Sequence, residues 1–376
     1  MNPPTVDNFK VEMLGLQAPQ LDAIVSGWGL PKFRAQQVRE WVYGRSVTDV
    51  AAMSNLSRLD RDKLTELLSI ATSRVAAHQK SEDGTQKLLL EWGADPSVAA
   101  AGGAQAETVM IPDGDRRTAC VSSQVGCPVG CKFCASGLEG VKGNLTAAQI
   151  VEQVVRLNEK LKLEPLDRGR PQKINSIVFM GMGEPLANYS NVMSAIRVLH
   201  DPAGLNISAR KITISTVGVP KRIKDLADEE LPLNLAISLH APSEGLRKSL
   251  IPWAEHFSID EILAAARYYF DRTGREITFE YILLAGINDK PEHARELSQL
   301  CKTLRANVNL LRYNEVESLP FKRPRADSVM QFQEVLRRNG INAHVRKSRG
   351  RDITAACGQL RRRENQQNES LVQLGV

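Results

Sequence analysis

No stretch of the 376-residue chain approaches the ~20 consecutive apolar residues that a membrane-crossing helix needs, and Met1–Phe9 lacks the basic-then-apolar pattern of a secretory signal. A cytoplasmic protein with no membrane association is the expectation. Internal repeats are absent, and there is no low-complexity tract apart from the polar stretch after Arg363. Cysteine is also sparse. Of six, four are crowded between Cys120 and Cys134, which excludes the dispersed disulfide framework of a secreted domain and points to metal or redox chemistry.

What is present is the composition of an ordinary globular protein, 42% hydrophobic and 24% charged, so disorder is expected only at the ends. At ~100–200 residues per domain, the length suits two domains or one large α/β domain with an appendage. The net charge of +6 is mild. Basic residues nevertheless bunch toward the C-terminal end, at Lys322–Arg325, Arg346–Arg351 and Arg361–Arg363. Such runs suit phosphate contacts or, equally, a solvated surface.

Apolar residues at helical spacing in Lys32–Tyr43 and Leu64–Ala71 mark residues 1–95 as a helical accessory unit, with Thr85–Trp92 as a strand. The small residues of Ala94–Ala106 read as a loop before a strand at Glu107–Pro112, and linker strands are expected to about residue 115. Over 116–360, β-rich runs alternate with amphipathic stretches. The runs are Ala119–Ser122, Ile174–Met180, Lys211–Thr216, Leu233–Leu239, Glu276–Leu284, Val308–Tyr313 and Ile341–Val345; helical patterns include Ala147–Leu161, Ile259–Phe270 and Pro291–Leu304. This alternation predicts an α/β fold, six or seven βα units forming an incomplete (β/α) barrel, followed by a polar basic tail at 361–376.

Unusual residues fall where parallel strands end. Gly181–Pro185 follows the second strand, Ser215 and Ser238-Leu239-His240 close the third and fourth, and Asn314 follows the sixth. That is the edge at which α/β barrels place their active sites. After the first strand, Cys127, Cys131 and Cys134 have the spacing CxxxCxxC. Three thiolates on one loop can hold three irons of a 4Fe-4S cubane and leave the fourth open to a substrate ligand such as S-adenosylmethionine (SAM). A zinc site with Cys120 as fourth ligand is the alternative, although zinc sites usually pair two separated knuckles.

The cysteine loop followed by Gly181-Met-Gly-Glu-Pro185 resembles the radical SAM superfamily. The segments Glu107–Pro112, Thr118–Cys127, Phe179–Pro185, Ser238–Pro242, Phe279–Leu284 and Asp352–Leu360 are together similar to the RlmN/Cfr family of adenosine methyltransferases, and Lys32–Val38 echoes that family's N-terminal accessory domain. The resemblance implies SAM contacts at Gly183, Glu184, Ser215, Ser238, Leu239, His240 and Asn314. It also implies that Cys357 carries the methyl group of one SAM as S-methylcysteine, and that a 5′-deoxyadenosyl radical from a second SAM activates it. Glu107 would accept the ring proton and Cys120 would release the product by forming a transient disulfide with Cys357. Cys301 matches nothing and reads as structural.

The substrates so implied are 23S rRNA and the tRNA adenosine beside the anticodon, with an external electron donor and no stable protein partner. Pro185 resembles the pattern of enzymes that methylate carbon 2 of adenine; relatives acting on carbon 8 tend to carry alanine there. Arg312, Glu315, Trp253-Ala254 and Arg351 depart from the usual pattern. Another radical SAM enzyme, which would need neither Cys120 nor Cys357, and a non-enzymatic RNA-binding protein stabilised by zinc or a cluster are the rival readings.

Overall fold

The computed structural model describes residues 10–93, 104–166, 169 and 171–360. The expected tail at 361–376 and most of the expected loop at 94–106 lie outside them. In the N-terminal unit, β1 (Val11–Glu12) pairs in parallel with β2 (Leu68–Ser69), and helices α1 (Ala18–Gly27), α2 (Phe33–Arg39) and α3 (Arg58–Leu67) lie between them in sequence. The helical run expected over Lys32–Tyr43 is α2 continued by one π-helical turn, Glu40–Gly44, which buries Val42 and Tyr43. The run expected over Leu64–Ala71 ends early, because α3 stops at Leu67 and the chain turns extended.

One ten-stranded sheet organises the remainder. It begins with β3 (Arg74–Lys80), β4 (Gln86–Trp92), β5 (Ala104–Asp113) and β6 (Arg116–Cys120), all paired antiparallel to their neighbours in sequence. Two short strands, β7 (Gln124–Gly126) and β8 (Val141–Asn144), then form a separate hairpin that encloses the cysteine loop. The sheet resumes with β9 (Ser176–Phe179), β10 (Ile212–Thr216), β11 (Asn234–Ser238), β12 (Ile277–Leu283), β13 (Ala306–Arg312) and β14 (Asn342–Arg346). From β6 onward every pairing in it is parallel.

Each parallel strand is laid beside its predecessor, so the sheet winds in one direction as a barrel does. β14 and β3 stay at opposite ends of the order. The barrel is therefore incomplete, as the alternation of elements predicted. Two expectations change. Residues 74–92, assigned to a helical unit with one strand, form two strands that extend the main sheet, and Ala104–Ala106, expected in a loop, begin β5. Polar residues in Arg74–Lys80 hid the first of these, because only one face of an edge strand is covered.

The connections after β7 and β8 supply α4 (Ala147–Leu161), α5 (Tyr189–His200), α6 (Pro220–Ala227), α7 (Glu244–Leu250), α8 (Ile259–Thr273), α9 (Pro291–Lys302) and α10 (Ala326–Arg338). Local sequence fixes their ends. Thr146 with Gln149, and Ser258 with Glu261, form capping boxes that satisfy the first amides of α4 and α8, and Gly274 ends α8 in a left-handed turn at φ 65°. Their apolar faces join Ile177, Ile214, Leu235, Phe279 and Val308 of the strands in one core. Each fully buried aliphatic or aromatic side chain there contributes about 1.5–3 kcal/mol. No helix among the described residues is long and apolar enough to cross a membrane.

Candidate active site

The chain leaves β6 at Cys120 and runs along the glycine turn after β9. Gly181 donates its amide to Val121 O at 3.1 Å, Met182 donates to Ser122 Oγ at 2.9 Å, and Ser123 donates back to Met182 O at 2.8 Å. A Cβ on Gly181 would lie 2.8 Å from the Val121 carbonyl, and one on Gly183, whose φ is +101°, would lie 2.7 Å from Gln124 Cβ. Only glycine fits at either position. The turn is thereby pressed against the start of the cysteine loop.

That loop is held from three sides. Cys127 donates its amide to Gly140 O across the small hairpin, Lys132 donates to Leu250 O at the end of α7, and Ala135 donates to Gly358 O at 2.8 Å. Ser136 Oγ adds a 2.7 Å hydrogen bond to Leu360 O. The residues just after Cys357 are thus tied to the loop bearing Cys127, Cys131 and Cys134. Around them a second apolar cluster forms from Val129, Phe133, Leu250, Ile251, Ala254 and Tyr313, with Trp253 against it.

A cleft opens at the C-terminal edge of the parallel strands. Its lining includes Cys127, Cys131, Cys134 and Cys357, together with Gly183, Glu184, Ser215, Ser238 and His240. Ser215 and Ser238, on neighbouring strands, have their hydroxyl oxygens 3.4 Å apart. Leu239, Asn314, Cys120 and Glu107 are not part of that lining. Leu239 is fully buried and donates its amide to Glu280 O; Asn314 donates from Nδ2 to the Cys357 carbonyl at 3.4 Å and accepts from Arg323 at 3.0 Å. The carboxylate of Glu184 is taken up by the amides of Leu186 and Val217, at 2.9 and 2.8 Å.

Electrostatics follow from burial. Desolvation, the mutual repulsion of neighbouring thiols and the Glu184 charge push Cys131 far up, and burial raises Cys127 to about 12 and Cys134 as well. Without a metal these groups are thiols; binding iron releases their protons. Burial also lifts Glu184 to about 7 against the pull of its amide donors. His240 is pushed down to about 3 by burial and by the nearby Arg247. Ile282 donates its amide to His240 Nδ1 at 3.0 Å, so the neutral ring carries its proton on Nε2.

The donor set itself discriminates between metals. A single tetrahedral zinc brings its sulfur ligands within about 3.8 Å of one another, as Zn–S bonds of ~2.3 Å require. Among the described residues no group of three or more Cys, His, Asp or Glu is placed to hold a single metal ion. Three cysteines spread around a shared cleft suit the larger cubane.

Cys357 meets solvent through the cleft, yet the protein around it raises its thiol to about 11 by desolvation and by the Glu280 charge. Arg346 pulls in the other direction but does not prevail; Arg349 faces Asp113 at 3.8 Å. Cys120, at the end of β6, is raised strongly by burial and then by the charge of Cys357, so the two thiols sense each other. Glu107, on β5, forms a buried ion pair with Lys87 at 2.8 Å.

Sequence reasoning did not single out Lys87, Glu280 or Arg247. Arg247 is fully buried and donates to the Val217 carbonyl at 2.5 Å, with its charge beside Cys131. Glu280 faces the cleft and accepts from Asn309 at 2.8 Å. A charged residue inside an apolar strand was the available signal for both Glu280 and Lys87.

Residues 11–70 match the family described as ribosomal RNA large subunit methyltransferase N-terminal domain, and residues 121–297 match the radical SAM superfamily. A protein of Rhodopirellula baltica named probable dual-specificity RNA methyltransferase RlmN is 44% identical over 353 residues, covering 94% of this chain and 91% of that protein. The chain belongs to the RlmN family. A Salinibacter ruber protein of the same name is also 44% identical, over 93% of this chain and 94% of its own length. The crystal structure of a radical SAM methyltransferase from Sphaerobacter thermophilus superposes with a TM-score of 0.86 at 40% identity, covering 93% of this chain and 99% of that one. As a radical SAM methyltransferase, the chain uses a 4Fe-4S cluster and SAM, and the three cleft cysteines fit the cluster.

Proposed function

We infer that this RlmN-family enzyme methylates carbon 2 of an adenine base in large-subunit ribosomal RNA and in transfer RNA, with Cys357 carrying the methyl group. The observation that supports this reading most is the placement of a second thiol pair. Cys357 opens into the same cleft as the cluster thiols, and Cys120 lies within its electrostatic reach. A radical SAM enzyme of another type has no use for two further thiols there. Carbon 2 of adenine has no lone pair with which to displace a methyl group, so direct polar transfer is barred.

Cys357 takes a methyl group from one SAM by displacement, losing its proton and leaving S-adenosylhomocysteine. Its high proton affinity in the empty cleft is overcome by the sulfonium charge beside it. Held by Cys127, Cys131 and Cys134, a 4Fe-4S cluster would supply the electron for reductive cleavage of a second SAM and accept one back as the ring adduct loses its proton; S-methylated Cys357 gives up a hydrogen atom, which leaves in 5′-deoxyadenosine, and its methylene carbon joins the ring. His240 offers an Nε2 proton to the cleft, and Ser215 and Ser238 offer hydroxyls, as donors for the bound SAM. Glu107 takes the ring proton. Cys120, as thiolate, attacks the sulfur of Cys357; the carbon–sulfur bond breaks, its electron pair leaves with the methylene carbon, and that carbon takes a proton to become the methyl group. A disulfide remains, which an external reductant resets.

Pro185, resembling the carbon 2 pattern, favours that position over carbon 8. A base inside a stacked helix cannot reach such a cleft, so a looped or splayed adenosine is the form taken. The test is anaerobic reconstitution, followed by incubation with SAM, a reductant and unmodified ribosomal RNA fragment, with mass spectrometry of nucleosides and of Cys357. 2-Methyladenosine with S-methylated Cys357 is expected. SAM cleavage without methylation of Cys357 would overturn the assignment, and 8-methyladenosine would move it to the other ring carbon.

A further inference from the structure

We propose that Lys87 is a positioning residue for the release half of this reaction, holding the Glu107 carboxylate in register with the loop that carries Cys357. The role rests on the function inferred above. Three observations carry it. First, Lys87 on β4 pairs with Val109 on β5, which pairs with Cys120 on β6, so Lys87 and Cys120 occupy one row across three strands. Paired residues across adjacent strands share a face. Glu107, two residues from Val109, lies on that same face.

Second, the Lys87 ammonium lies 2.8 Å from the Glu107 carboxylate, and each side chain is only 3% exposed. A lysine is almost never so deeply buried without a specific partner. Third, the same ammonium donates to the Thr354 carbonyl at 3.2 Å, three residues before Cys357. One cation therefore joins β5, which bears the proton acceptor, to the segment that bears the methyl carrier. It also stands on the sheet face where the resolving Cys120 ends β6.

The early steps, methyl transfer to Cys357 and SAM cleavage, occur in the cleft, of whose lining neither Lys87 nor Glu107 is part. The later steps need Glu107 at a fixed distance from the base held on Cys357. Without Lys87 the Glu107 carboxylate loses the ammonium at 2.8 Å and the Thr354 carbonyl loses that donor, so the link between the two segments through this cation is broken. Loss of Lys87 thus strands the covalent RNA–Cys357 adduct rather than preventing its formation.

The experiment is a single turnover of cluster-loaded Lys87→Met with SAM, a reductant and the unmodified ribosomal RNA fragment. Cys357 methylation and 5′-deoxyadenosine are expected at wild-type levels. The RNA–protein adduct on a denaturing gel should rise, and release of methyladenosine fall, by on the order of tenfold or more. Lys87→Arg, which keeps a cation against Glu107, should restore most of the product. Should Lys87→Met fail to fold, Lys87→Gln, neutral but still able to donate to Thr354, is expected to trap the same adduct. Release at the wild-type rate, or a parallel fall in S-methylcysteine, 5′-deoxyadenosine and product that Lys87→Arg does not repair, overturns the role. Absence of S-methylcysteine in the wild type would instead overturn the function on which it rests.

Discussion

His240 stands at φ 58°, a left-handed backbone that suits few side chains, and from there its Nδ1 accepts the Ile282 amide at 3.0 Å. The backbone strain and the hydrogen bond together aim Nε2–H at the cleft. Replacing His240 by Ala removes that donor, and SAM affinity is expected to fall by about tenfold, the value of one hydrogen bond of ~1.4 kcal/mol. Equilibrium dialysis with the cluster-loaded protein checks this.

Acid stability should reveal a cancellation between His240 and Glu184. Between pH 3 and 6.5 the unfolded chain protonates His240 and the folded chain does not, so this group makes stability rise with pH. Between pH 4.5 and 7 the folded chain keeps a proton on Glu184 that the unfolded chain has lost, so that group makes stability fall with pH. The slopes, each about 1.4 kcal/mol per pH unit, oppose one another from about 4.5 to 6.5. In iron-free protein, urea unfolding of Glu184→Gln should therefore weaken on acidification relative to wild type. His240→Asn should weaken as the pH is raised.

Cys357, with its thiol near 11, is expected to alkylate slowly at neutral pH in the SAM-free protein, about tenfold faster per pH unit up to that value. Iodoacetamide labelling followed by peptide mass spectrometry measures it. Glu280→Gln should speed the reaction at a given pH by removing a repelling charge, and Arg346→Met should slow it.

The buried Glu152 of α4 accepts from the Ser73 amide at 2.7 Å and from Trp92 Nε1 at 2.8 Å, and faces Arg156 at 3.3 Å. It straps a barrel helix to β4 and to the segment leading into β3. Glu152→Ala leaves those donors and the arginine without it, and a loss of about 3–5 kcal/mol is expected in the urea unfolding free energy.

The turn between β3 and β4 clasps the Cys357 loop. Ser81 Oγ donates to Asp352 Oδ1 at 2.6 Å, the Glu82 amide donates to its Oδ2, and Asp83 accepts the Gly350 amide at 3.1 Å. Asp352→Ala should speed hydrogen exchange of amides 350–356 by on the order of tenfold while leaving β12 and β13 unchanged.

Much of this was legible in the sequence because period and spacing are local properties. The helix over Ala147–Leu161 appears with those bounds, and the parallel strands β9 to β14 fall within two residues of the expected runs, since each is an apolar segment bounded by polar turns. The cysteine spacing and the glycine turn were readable for the same reason. Lys87 was not. In Thr85–Trp92 it resembles the exposed side of a half-buried strand, and only the arrival of Glu107 from β5 and Thr354 from beyond β14 makes a buried cation tolerable. Nor could residues 74–80 be placed, because whether a polar strand joins a sheet depends on the neighbour it finds.

The one-directional winding of the sheet has a consequence for synthesis. Each parallel strand needs only the one made before it, so a chain leaving the ribosome can lay down its barrel in the order of translation. The loop of Cys127–Cys134 emerges early, whereas the segment bearing Cys357 follows β14 and is tied through Gly358 and Leu360 to Ala135 and Ser136. A nascent chain long enough to expose Cys127, Cys131 and Cys134 still lacks Cys357, the methyl carrier in the function proposed above.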